Sequence, residues 1–174
     1  MCRFIGMAIS ATLFLAGPAQ AHNATRKDGD DTESVLDIRS ASFAHGDNKL
    51  RLTLRTREAW KPRKLKGKAN WMTFWLDTSK DDTFVVSIDF RNGKLRGRIS
   101  EPGEVGKVVG KAKVSKLSGK VVRAVVGRSK VKANNKWVKW LAISQWKGTR
   151  KCPNGCLDYV PGGTQYSGRI KHYL

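Results

Sequence analysis

The chain of 174 residues is predicted to be all-β, an antiparallel β-sandwich of jelly-roll type with about eight strands. Three observations predict this fold. Residues 49–56 (KLRLTLRT) alternate leucine with Lys, Arg or Thr, which is the period of a strand with one buried face. Asn92-Gly93, between two alternating runs, is a strong hairpin signal. Turn residues separate the runs and none keeps a helical period, which argues against an α/β sheet.

The first four predicted strands cover residues 35–44, 49–56, 70–78 and 83–91. The turn HGDN at residues 45–48 joins the first two. A very basic loop at residues 61–68, with Pro62 and Gly67, precedes the third. The third strand is apolar on both faces and ends at the turn of residues 79–82, and the fourth runs up to Asn92-Gly93.

The remaining predicted strands cover residues 94–100, 107–116, 120–126 and 136–146. The turns EPGE at residues 101–104 and Ser118-Gly119 separate the first three of these, and a basic loop at residues 128–135 precedes the last. Residues 147–174 are glycine-rich and are predicted to be irregular, with one short strand near residues 167–172.

The domain organisation follows from composition. Residues 1–21 combine Arg3, an apolar run of about fourteen residues and the small residues PAQA, the order of a secretory signal peptide. The run is too short for the roughly 20 residues that span a bilayer, and no later segment is apolar enough to do so. Residues 22–34 are predicted to be a flexible polar segment, and residues 35–174 a single sandwich domain. We therefore expect a secreted or extracytoplasmic protein without a transmembrane segment.

The charge balance favours an anionic partner. The chain has 34 Lys and Arg against 14 Asp and Glu, a net charge of +20. Removal of residues 1–21 takes away Arg3 alone and leaves +19. Such a charge attracts nucleic acid, anionic wall polymers or acidic glycans, although solubility alone is an equally good explanation.

Two cysteines follow the predicted leader, in the sequence Cys152-Pro-Asn-Gly-Cys156. Pro-Asn-Gly favours a turn that brings the two sulfurs together, and disulfides persist outside the cytoplasm. We predict a disulfide between Cys152 and Cys156. A zinc site is disfavoured because none of the histidines, His22, His45 and His172, stands at ligand spacing from these cysteines.

Three short motifs carry a resemblance: LDIR at residues 36–39, LDT at residues 76–78 and WLA at residues 140–142, followed by the late cysteine pair. With them the chain resembles small exported β-sandwich proteins of bacteria, chiefly actinobacteria, which are similar to jelly-roll carbohydrate-binding and DOMON-like domains. The resemblance covers roughly residues 36–146. It implies the sandwich fold and the exported setting, and it transfers no catalytic residue.

No recognisable catalytic constellation is present, and we predict that the protein is not an enzyme. A glycoside hydrolase needs two carboxylates facing one bond, and the carboxylates here are few and scattered. Gly-x-Ser-x-Gly is absent, and no glycine-rich phosphate loop precedes a helix. A hydrolase on a jelly-roll scaffold stays as an alternative, because catalytic triads are recognised by geometry and not by spacing.

No cofactor is predicted, with calcium as the alternative. Two groups of acids could offer the oxygen ligands that calcium takes: Asp28, Asp30 and Asp31, or Asp77, Asp81 and Asp82. Neither fits the spacing of an EF-hand, and acids at turns are the more common explanation.

Trp71 and Trp75 lie on one face of their predicted strand, and Met72, Phe74 and Leu76 lie on the other. If the second face is the core, the two indoles form a platform about 13 Å long that could stack on sugar rings. Asp77 or Thr73 would then orient sugar hydroxyls. In the alternative interpretation the strand is central and buried on both faces, with the tryptophans under a loop.

Basic residues alternate with apolar ones along several predicted strands, and few acids lie between them. If these strands share a sheet, their outward side chains form one continuous cationic surface, although alternating charges commonly mean only a solvated face. The predicted binding residues for an anionic ligand are Arg51, Arg55, Lys94, Arg96, Arg98, Lys107, Lys111 and Lys113.

The sequence therefore predicts a non-catalytic extracytoplasmic binding protein that holds an anionic polymer, such as a wall polymer, an acidic glycan or nucleic acid, on a cationic sheet face. The alternative is a module that binds neutral carbohydrate on Trp71 and Trp75.

Overall fold

The computed structural model describes residues 23–67, 69–79, 82–102, 107–134, 137–148, 150, 152–162 and 169–174, so the predicted signal peptide lies outside the described residues. The fold class is confirmed, because within these residues all regular elements apart from two short 3₁₀ turns, Pro62–Leu65 and Arg128–Val131, are strands. Eleven strands are present in the described part, more than the eight or so predicted. They are β1 Asn23–Lys27, β2 Ile38–His45, β3 Lys49–Thr56, β4 Trp71–Asp77, β5 Thr83–Arg91, β6 Lys94–Ser100, β7 Val108–Lys116, β8 Val121–Gly127, β9 Trp137–Trp146, β10 Cys156–Val160 and β11 Ile170–Tyr173.

The strands pair antiparallel in the order β1-β2-β3-β8-β7-β6-β5-β4-β9-β10, and β11 lies beside β10 on the same edge of β9. Strand β7 belongs to two layers. Its first half pairs with β6, with Ala112 opposite Gly97, and its second half pairs with β8, with Lys113 opposite Val125. We call β1, β2, β3, β8 and the second half of β7 layer A, and the rest of the sheet layer B.

On the side away from β7, side chains join the layers. The Ile38 N–H at the start of β2 donates a hydrogen bond of 2.5 Å to Oδ2 of Asp158 on β10. The Ser144 hydroxyl on β9 donates one of 2.7 Å to the Leu36 carbonyl. The sheet is thus closed by backbone pairing at one seam and by buried polar side chains at the other.

The core lies between the layers and follows the predicted alternation. Leu50, Leu52 and Leu54 of β3 are fully buried, while their neighbours in sequence face outward. From layer B, Trp140 stacks on Phe43 of layer A with the ring centroids 6.1 Å apart. This confirms the expectation that the aliphatic stripes of the strands meet in one interior.

The structure differs from the prediction at both ends of the chain. Asn23–Lys27, within the segment predicted to be flexible, pairs residue by residue with β2 as an edge strand. Cys156–Val160, within the part predicted to be irregular, pairs with β9 as β10. Strand β1 is polar and has little apolar alternation, because its stability comes from the ladder of its neighbour and not from a buried face of its own. Strand β10 buries Asp158 and Val160, but its five residues are too few for a clear period.

The predicted disulfide is confirmed. Cys152 and Cys156 are bonded, with their Cα atoms 5.3 Å apart. Gly155 closes the turn with φ of +107°, a conformation in which glycine carries no steric penalty. The bond is consistent with a non-reducing compartment. Among the described residues, no helix has the length and apolar character to cross a bilayer.

Candidate functional site

The outer face of layer A carries hydroxyl groups and arginines. The register places Thr25 of β1, Ser42 of β2 and Thr53 of β3 in one row across the sheet, and Arg123 of β8 continues that row. In the next row Arg55 lies opposite Ser40 and Val121. The Arg123 Nε donates a hydrogen bond of 3.2 Å to the Thr53 hydroxyl, which orients its guanidinium on this face.

These rows line a hollow of about 430 Å³, which we call the layer A hollow. Its lining residues are Thr25, Ser40, Ser42, Thr53, Arg55, Leu117, Ser118, Val121 and Arg123. No acidic side chain is among them, so the two guanidinium groups face five hydroxyl-bearing residues and no carboxylate. Such a surface presents donors to an anion.

The predicted cationic residues surround this hollow in part and extend beyond it. Arg51 lies in the row that reaches Lys113 of β7 through Val125. On the same side of β7, Lys111 lies opposite Arg98 of β6 in layer B. The residues predicted to form one continuous cationic surface therefore lie along a band that bends with β7, because that strand pairs in both layers.

Ion pairing divides the predicted binding residues into two groups. Arg98 contacts Asp89 at 2.8 Å, and Lys107 contacts Glu101 at 3.6 Å. The remaining six have no ion pair with any described residue. They are Arg51, Arg55, Lys94, Arg96, Lys111 and Lys113. Arg123 was not among the predicted binding residues. Its position between Val122 and Ala124, which both face inward, indicates an outward-facing side chain.

The basic loop of residues 61–68 does not add to this band as a free segment. Pro62–Leu65 forms a 3₁₀ turn that buries Leu65. Lys66 forms a bridge with Phe90, and Lys64 lies with Nζ 5.3 Å from the centroid of the Trp146 ring. Lys68 lies outside the described residues. The loop thus packs against layer B.

The outer face of layer B holds a second concavity, the tryptophan groove, of about 340 Å³. Trp71 and Trp75 are half-buried there, while Met72, Phe74 and Leu76 on the opposite face of β4 are in the core, as predicted. The groove is lined by Gly67, Trp71, Thr73, Trp75, Val85, Ser87, Asp89, Arg91 and Arg98. The strand is central, but its tryptophans line an open groove and are not fully covered.

The polar groups in and beside this groove are largely engaged. Asp89 is buried between Arg91 at 3.1 Å and Arg98 at 2.8 Å. Asp77 pairs with Arg169 and accepts a hydrogen bond of 2.8 Å from the Thr83 hydroxyl. Thr73 is only 6% exposed. Asp77 is therefore not free to orient a sugar, and the Thr73 hydroxyl is buried without a hydrogen-bond partner among the described residues, whereas the arginines flank the open side.

The two acidic groups considered for calcium differ in the structure. Asp77 pairs with Arg169 and Asp82 pairs with Lys132, and Asp81 lies outside the described residues. In the other group, which was predicted to comprise Asp28, Asp30 and Asp31, the structure places Asp28 and Asp31 beside two acids that lie outside the predicted group. These are Asp37 and Asp158.

Burial affects the protonation of this acidic group. Desolvation raises the pKa of Asp158 to about 8 and that of Asp37 to about 7, the latter against the opposing effect of Arg57. Desolvation and the charge of Asp31 also raise the pKa of Asp28. These carboxyl groups therefore keep their protons at higher pH than ordinary aspartates, because ionising all of them in one place is costly unless a cation is present.

Comparisons with known proteins add no assignment to this geometry. No protein family model, curated protein or solved structure matches the chain. The resemblance to exported carbohydrate-binding and DOMON-like sandwiches therefore stays a prediction, and any functional assignment has to rest on the layer A hollow, the tryptophan groove and the acidic cluster.

Proposed function

We propose that the protein is a non-catalytic, exported binding protein that holds an anionic polymer on layer A. The observation that carries this proposal is the acid-free layer A hollow, in which Arg55 and Arg123 face hydroxyl groups. The disulfide supports a setting outside the reducing cytoplasm. The polymer class is one with repeated sulfate, phosphate or carboxylate groups.

The chemistry of the hollow suits such groups. A guanidinium offers a planar fork of donors that matches an oxyanion, and serine and threonine hydroxyls add neutral donors. Arg51 and Lys113, on the rows beside the hollow, would attract neighbouring charges of the same polymer. A single anionic group would occupy the hollow, while the polymer continues over the cationic band.

The test is the affinity of the protein for heparin, measured by isothermal titration calorimetry, with the variant R55A/R123A. Each lost charge-assisted hydrogen bond contributes about 1.5–3 kcal/mol, so we expect the dissociation constant to rise about tenfold or more. The matched control is R63A/K66A, which removes the same charge from the turn on layer B. It should weaken binding by much less.

Salt provides the second part of this test. Because binding releases counter-ions, the affinity of the wild type should fall steeply between about 50 and 200 mM salt, and the R55A/R123A variant should show a shallower slope. Heparin binding that is indifferent to salt, or equally weakened by the control variant, would refute the layer A assignment.

A second candidate function is supported by the tryptophan groove. Two half-buried indoles about 13 Å apart along β4 could stack on successive sugar rings, and Arg91 and Arg98 flank them. We expect W71A/W75A to abolish binding of neutral oligosaccharides, detected by tryptophan fluorescence and calorimetry, with the melting temperature nearly unchanged. The control W137A alters a half-buried tryptophan on β9 outside the groove. A collapse of stability in W71A/W75A would mean that the indoles serve packing.

A further inference from the structure

Four carboxylates from three separate segments meet at the seam where side chains close the sandwich. Asp28 and Asp31 follow β1, Asp37 directly precedes β2, and Asp158 lies on β10. One ligand atom from each lies within 4.8 Å of those from all the others. Calcium binds oxygen ligands at about 2.3–2.6 Å. Two oxygen atoms on opposite sides of one calcium ion are therefore about 5 Å apart. The spacing of the four ligand atoms is therefore compatible with one shared ion.

Three members of the cluster, Asp28, Asp37 and Asp158, have a buried oxygen atom that lacks a hydrogen-bond partner among the described residues, and two of these residues are almost wholly buried. Asp37 is 2% exposed and Asp158 is 4% exposed. In each, Oδ2 is engaged, with Arg57 at 3.3 Å and with the Ile38 N–H at 2.5 Å respectively. The Oδ1 atom of each is buried and accepts no hydrogen bond from the described residues. Unpartnered carboxylate oxygens are costly in a protein interior unless a cation or proton satisfies them.

The surroundings of the cluster reinforce its negative charge. An adjoining hollow of about 390 Å³ is lined by Asp30, Glu33 and Glu58 among others. Seven of the chain's 14 acidic residues thus lie at one corner of a strongly basic protein. Arg57, which contacts Asp30 and Asp37, is the cation that the structure pairs with this corner.

We propose that Asp28, Asp31, Asp37 and Asp158 bind one calcium ion. All the ligands are hard oxygens, and calcium tolerates the irregular geometry of carboxylates from several loops, whereas magnesium demands a near-ideal octahedron. The ion would tie the segment between β1 and β2 to β10. It would therefore stabilise the seam that lacks backbone pairing between the layers. The inference is independent of the proposed polymer binding.

The test uses the full exported chain after treatment with EDTA and dialysis, titrated with CaCl₂ by calorimetry and followed by thermal unfolding. We expect binding at one site per chain and a rise in melting temperature of about 5 °C or more at calcium concentrations near 100 times the dissociation constant. D31N removes a ligand that is exposed and makes no described hydrogen bond, so this variant should fold and bind calcium at least tenfold more weakly. D158N should lose the calcium-dependent rise.

The matched control is D47N, which alters an exposed acid in the turn between β2 and β3 and should leave calcium affinity unchanged. Absence of binding heat and of any thermal shift in the folded wild type would overturn the proposal. So would an affinity for MgCl₂ equal to that for CaCl₂, or a calcium response that survives both D31N and D158N. If heparin binding fails while these results hold, only the proposed function falls.

Discussion

Gly97 shows how one residue controls the seam between the layers. It lies on the buried face of β6, opposite Ala112 of β7. A Cβ built at this position would stand 2.7 Å from the Ala112 carbonyl oxygen and 2.7 Å from Cγ2 of Val114. The first of these atoms is backbone and cannot rotate away. The absence of a side chain at Gly97 therefore allows β7 to approach β6 before it turns into layer A.

We predict that G97A destabilises the protein by about 1–3 kcal/mol, the usual range for an overpacked interior. Urea unfolding followed by circular dichroism measures the change. The control is G127A, because Gly127 has φ of −67° and a Cβ there would meet its nearest atom at an ordinary 3.6 Å. If both variants unfold at the same urea concentration as the wild type, the close approach of β6 and β7 at Gly97 does not contribute to the free energy of unfolding.

At the scale of elements, the Cys152–Cys156 bond joins the turn before β10 to the first residue of that strand and fixes the turn through which the chain returns to β9. Strand β10 is short and has an edge position, yet it carries Asp158, which anchors the start of β2. The turn is therefore placed to support a short edge strand that buries Val160 in the core and holds Asp158 against β2.

We predict that C152S/C156S lowers the free energy of unfolding by about 2 kcal/mol. The effect is small because a disulfide that closes so short a loop removes little conformational entropy from the unfolded chain. Urea unfolding with and without dithiothreitol measures this. The reductant should destabilise the wild type by a similar amount and leave the double variant unaffected. A wild type insensitive to complete reduction would show that the bond does not support β10.

At the scale of the whole molecule, charge is distributed unevenly. Seven of the 14 acidic residues lie at the corner near β2 and β10, whereas no acidic side chain lines the layer A hollow. Of the cations in the band along β7, Arg98 and Lys107 are paired with acids. This separation would steer an anionic polymer away from the acidic corner and toward the layer A hollow.

The sequence by itself determined the elements that local chemistry specifies. The leucine alternation of residues 49–56 and the Asn92-Gly93 turn predicted β3 and the β5–β6 hairpin at their observed bounds. Pro-Asn-Gly predicted the disulfide. These signals are local, because side-chain period and turn preference depend on a few consecutive residues.

Only the tertiary structure decided which of these residues meet. The layer A hollow depends on the register that places Arg55 beside Ser40 and Arg123 beside Thr53. The acidic cluster brings Asp28 to Asp158 across most of the chain. No period in the sequence encodes such pairings, because strand order and register are set by the burial of all apolar faces together.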